Sequence, residues 1–114
     1  PGATLALRKA CISSNSQVVS ANAAWNDAVD SHKDADLQKA TKTMGSLADS
    51  LRSDGKQSGD ASFKKKADAA AAQVDALKKA EKPAKTVDTT SYNSAVEDLT
   101  SYCSTMFPQA SKSA

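Results

Sequence analysis

Two cysteines, Cys11 and Cys103, and one histidine, His32, hold most of the chemical range of this sequence. Neither cysteine belongs to a CxxC pair or a Cys/His metal spacing, so thiol redox catalysis and a structural zinc site have no motif to stand on. An even count, one cysteine near each end of a 114-residue chain, predicts a long-range disulfide and hence an oxidising compartment. His32 has Asp30, Asp34 and Asp36 close by in sequence. A metal or acid–base site is one reading of this group. A helix-terminal histidine beside acids that suit its charge is the better one, because transition-metal sites use three or four ligands and one imidazole supplies one. Any Ser-His-Asp or Cys-His catalytic set would need this same His32, with both cysteines committed to each other. No enzymatic activity is expected, and no metal or cofactor.

Other groupings are weaker. Asp27, Asp30 and Asp34 share a face if one helix carries all three, but no EF-hand loop accompanies them, and a solvated acidic face is the simpler account. Residues 60–85 hold seven lysines against four acids. Of these, Lys64, Lys65, Lys66, Lys78, Lys79 and Lys82 form a candidate basic patch for an anionic surface or an acidic protein. The plain alternative is a solubilising helix face. The same segment is unusually rich in alanine, including Ala67, Ala69, Ala70, Ala71, Ala72 and Ala76. Such small side chains suit close helix packing. They also leave room for an apolar ligand near Trp25, Met44, Val74 and Leu99.

The elements that position these residues follow from the spacing of apolar side chains. Leu7, Cys11, Ser14, Val18, Ala21, Trp25, Ala28 and His32 alternate at four and three, an a/d seam that predicts a helix over about 4–33. The polar run Ser13-Ser14-Asn15-Ser16 is its weakest stretch, where a break is the alternative. Leu37, Ala40, Met44, Leu47 and Leu51 predict a second helix over about 35–53, with Asp34 or Asp36 as cap. Ser53 to Asp60 gathers two glycines with small polar residues, which is loop chemistry. Phe63, Ala67, Ala70, Val74 and Leu77 predict a third helix over about 61–81, capped by Asp60 or Ser62 and ended by Pro83. Tyr92, Val96, Leu99, Cys103 and Met106 predict a fourth over about 88–106, followed by Pro108 and a frayed tail at 109–114.

Four helices on short connections predict an all-α, antiparallel up-down-up-down four-helix bundle in a single domain over 1–114. In that topology Cys11 and Cys103 lie at a similar height in the first and last helices, which is where a bridge can close. Aromatics are 4% of the chain, so the core is lean and a staple matters more than usual. The net charge of +2 with interspersed signs gives no reason to expect a nucleic-acid partner. No apolar run approaches the length of a transmembrane segment. Pro1-Gly2-Ala3-Thr4 lacks a charged-then-apolar leader pattern, as in a chain already processed.

An Ala/Ser/Thr/Asp/Lys-rich helical chain with one cysteine early in its first helix (Lys9-Ala10-Cys11) and one late in its last (Ser101-Tyr102-Cys103) resembles small secreted proteins and lipoproteins of actinobacteria. The resemblance implies an extracytoplasmic location, secreted or in the cell envelope, and carries over no functional residues. The expected function is a non-enzymatic module that binds a macromolecule at the cell surface or outside the cell through a helix face, the Lys-rich third helix first. A carrier or sensor of a small apolar ligand or metal in the bundle core is the alternative. A small inhibitor or immunity-type protein is the third. A continuous void beside the third helix would favour the carrier, and a solid core the surface binder.

Overall fold

The computed structural model of the chain describes residues 3–79 and 89–108. Among the described residues the fold consists of four helices: α1 (Leu5–Ser31), α2 (Asp34–Ser58), α3 (Ala61–Lys78) and α4 (Thr90–Met106). They form an antiparallel bundle in which each helix packs on the next in sequence, and a Cys11–Cys103 disulfide joins first to last. Every member of the α1 seam from Leu7 to Ala28, of the α2 seam and of the α3 seam is buried, and all but the polar Ser14 belong to one core cluster. The period of the sequence thus sets the packing, because only residues three and four apart share a helix face.

Two of the helix starts have a side-chain cap. Thr4 caps α1 by accepting from the Leu7 N–H at 3.1 Å. Asp60 caps α3 through the Phe63 N–H at 2.8 Å. The turn between α1 and α2 differs from expectation. His32 closes α1 in the left-handed conformation (φ 57°), and Lys33, without a side-chain bond, stands at the cap of α2. Asp34 and Asp36 lie inside its first turn, where their charge favours the helix dipole.

Helix α2 runs five residues past the expected end at 53 and takes in most of the stretch read as a loop. Two contacts explain this. Asp54 accepts hydrogen bonds from Ser13 Oγ (3.2 Å) and Ser14 Oγ (2.8 Å) of α1. Gly55 is buried where α3 crosses, with space for a methyl group 3.4 Å from the Lys64 Cα and little more. The turn itself is delayed to Gly59, at φ 65°, a conformation glycine takes without steric cost. The same Asp54 bonds help keep α1 continuous through Ser13-Ser14-Asn15-Ser16, since the Ser13 and Ser14 hydroxyls, which would compete with the backbone, are engaged by α2. The ends expected for α3 at 81 and the start of α4 at 88 fall outside the described residues, as does the tail at 109–114.

The burial is uneven. Helices α1 and α2 each bury eight residues and α3 six, whereas α4 buries only Tyr92 and Leu99. Val96, Cys103 and Met106 of its expected inner stripe are only partly covered. Helix α4 leans on α3 and touches α1 sparsely. The bundle therefore has three well-packed seams and one open one, and the disulfide crosses the open one.

Candidate functional site

The open seam between α1 and α4 is pinned at two heights. At one, Cys11 and Cys103 bring the backbones to a Cα–Cα distance of 5.7 Å. Eleven residues further up α1 and eleven back along α4, the Tyr92 hydroxyl donates to Asn22 Oδ1 at 2.6 Å. The pins share one antiparallel register and lie about 16 Å apart at 1.5 Å per residue. Burial pushes the Tyr92 phenol up to about 12, so the hydroxyl remains a proton donor far into alkaline conditions. A third bond ties the lower part of α4 to the α2–α3 turn. The Tyr102 hydroxyl donates to both oxygens of Asp60, at 2.9 Å each, and burial followed by this bond raises its pKa.

A groove of about 470 Å³ follows this seam from Ser20 past the disulfide to Arg8 and Phe107. Ile12, Val18, Val19, Leu99 and Phe107 give it apolar walls, and small hydroxyl residues fill much of the rest. Arg8 is the one charged residue in the lining. On the α1 side the groove opens onto a second stripe, Leu5, Ile12 and Val19, spaced by seven and exposed by 65%, 50% and 60%. These are the large hydrophobic side chains left in solvent among the described residues, and all three lie on one face of one helix. Single exposed apolar residues are ordinary; an aligned row beside a groove is the pattern of a contact surface.

The residues singled out from sequence are placed as follows. Cys11 and Cys103 are bonded to each other. Trp25, Met44 and Val74 are packed in the core cluster, and of that proposed apolar pocket only Leu99 reaches the groove. The inner face of α3, Ala67, Ala70, Ala71 and Val74, is fully buried, so its alanines serve close approach to its neighbours. Lys64, Lys65 and Lys66 stand at the start of α3 while Lys78 and Lys79 stand about 20 Å away at its end, and Lys82 lies outside the described residues. Lys64 pairs with Asp68 at 2.7 Å, and the stem of Lys78 lies against Gly45 of α2. The described lysines of this set thus stand at opposite ends of α3.

His32 is exposed at the cap, and its backbone N–H donates to Val29 O at 3.3 Å. Because α1 ends at Ser31, Asp34 belongs to the next helix and does not continue the row begun by Asp27 and Asp30. Among the described residues no three His, Cys, Asp or Glu side chains cluster in a way that could hold a metal ion. No described helix is long and apolar enough to cross a membrane. The stripe Leu5–Ile12–Val19 escaped the sequence reading. Its signal was present as a second heptad spacing on α1, beside the first and masked by it.

The chain matches no protein-family model, no curated protein and no solved structure with which it was compared.

Proposed function

We propose that the chain is a non-enzymatic binding module of an extracytoplasmic compartment and that its binding face is the seam between α1 and α4. The observation that carries this reading is the exposed stripe Leu5–Ile12–Val19 along a groove in a bundle whose other three seams are packed. Covering apolar surface that water now wets is favourable at roughly 25 cal/mol per Å², so this row is where association gains most. The disulfide supports the location, since such bonds persist in oxidising compartments. The resemblance to small secreted actinobacterial proteins points the same way. The Lys-rich helix is the weaker face, because its charges are spread along the helix and in part already engaged. The filled inner face of α3 favours a surface binder over a carrier with its ligand in the core.

The test is a backbone amide NMR titration of labelled protein with envelope fractions of the producing cell. The expected perturbations centre on residues 5–20 and 99–107. Perturbations centred on 64–79, or none from any fraction, would refute the assignment of the face.

A further inference from the structure

We infer that the α1–α4 groove takes one single-chain, monoanionic amphiphile, a fatty acid in chemical class, with its hydrocarbon tail along Ile12, Val18, Val19 and Leu99 and its carboxylate at Arg8. This rests on the reading of the seam as the binding face and names what occupies it. Four observations carry it.

The first is size. A groove of about 470 Å³ lies within the range of small-ligand sites, and it is too small for a lipid with two acyl chains. The second is shape. The walls come within 5.7 Å, Cα to Cα, at the disulfide, whereas a helix with its side chains is about 10 Å or more across. Nothing passes between the helices there, because the bridge fills the gap. A partner helix can only rest on the rim, while an extended hydrocarbon chain can lie along the groove over the Cys11–Cys103 bridge, which is part of its lining. The third is the chemistry of the lining. Both walls are helix interiors whose backbone groups bond within their own helices, and the buried Ser14 hydroxyl is committed to Asp54. The exposed surface of the groove is more apolar than polar, so a sugar or nucleotide would give up more hydration hydrogen bonds than the remaining Asn15, Ser16 and Ser20 side chains return. A hydrocarbon gives up none.

The fourth is charge. Arg8 is the sole charged lining residue, and it stands at one end of the groove. Among the described residues it has no ion-pair partner. A guanidinium so placed offers a carboxylate a two-pronged hydrogen bond at the point where the tail leaves the apolar walls. Covering half-exposed Ile12 and Val19 is then the gain from the tail, and Arg8 sets the polarity and direction of the head.

The experiment is calorimetric titration of the oxidised protein with laurate below its micellar concentration, beside dodecanol and dodecyltrimethylammonium as neutral and cationic probes. Laurate should bind one to one, more tightly than dodecanol, with the cation weakest. Arg8→Gln should weaken laurate about tenfold, as loss of one exposed charge-assisted contact implies, and leave dodecanol unchanged. Val19→Asp should weaken both, while circular dichroism shows the bundle intact, because residue 19 faces solvent. Absence of laurate binding, or equal binding of the cation, overturns the inference. So does association with phosphatidylglycerol vesicles in place of free laurate, or saturation of the seam by a protein fraction that laurate does not displace. In those last two cases the seam survives as the binding face and only its occupant is wrong. If envelope material maps to α3, the wider reading fails as well.

Discussion

The α2–α3 side of the bundle and the α1–α4 side solve the same packing problem in opposite ways. On the first, alanines and Gly55 let two helices approach closely, and the largest buried side chains, Phe63, Met44 and Leu51, fill the remaining space. On the second, two helices meet at few points and a covalent bond, a phenol–amide bond and the Tyr102–Asp60 contact to the neighbouring turn do the holding. Close packing needs volume match at every layer, whereas pins need only correct geometry at each pin. A seam held by pins can stay open between them. That is how a small lean bundle keeps a groove without giving up its core.

Breaking the pins should therefore have the largest effect of any change on the open side. Replacing Cys11 and Cys103 by serine removes a link across 92 residues, worth about 4.6 kcal/mol in the chain-entropy account, and urea unfolding should show a midpoint lowered to match. On the closed side, Leu51→Ala should cost roughly 2–5 kcal/mol by the same measurement, because Leu51 is fully buried and its truncation leaves a cavity. Asp54→Ala strands the buried Ser14 hydroxyl and should cost about 1–3 kcal/mol.

Tyr92 gives the comparison a pH dependence. Its phenol is raised to about 12 in the native state against an ordinary value near 10, so between those values the unfolded chain releases the proton and the native chain keeps it. Stability from this group is complete below about pH 10 and falls as pH rises through that window. Tyr92→Phe should be less stable than the parent near pH 9, having lost the Asn22 bond, and the gap should close by about pH 11.5. The smallest effect is expected at the stripe. Ile12→Ala should change stability by no more than about 0.5 kcal/mol, in contrast to Leu51→Ala, because its side chain is half in water.

How legible this was in the sequence depended on whether a feature followed from period alone. The a/d seams of α1, α2 and α3 follow from period, and the residues they name from Leu7 to Leu77 are all buried, with His32 the exception where the helix turns off. The further buried residues Ala10, Ala48, Gly55, Ser58 and Ala71 are small side chains flanking the seams. The α1–α4 disulfide followed from period plus topology. The length of α2 did not, because Asp54 and Gly55 look like loop residues until a partner helix supplies hydroxyls to one and a crossing backbone to the other. Helix α4 misled for a related reason. Its stripe from Tyr92 to Met106 is as regular as the others, but how deeply a stripe is buried depends on how closely the neighbouring helix approaches, and α1 stands off. The groove and the stripe Leu5–Ile12–Val19 are products of that standoff. Period can place a residue on a face; it does not say whether that face is covered.

The contrast between a packed side and a pinned side is tested most directly by hydrogen exchange of individual amides in the oxidised and the reduced protein. Reduction of Cys11–Cys103 should lower protection most in α4, from Thr90 to Met106, while the amides of α2 and α3 lose no more than the global loss of stability seen in urea. Equal loss of protection in all four helices, or an α4 as protected after reduction as before, would contradict it.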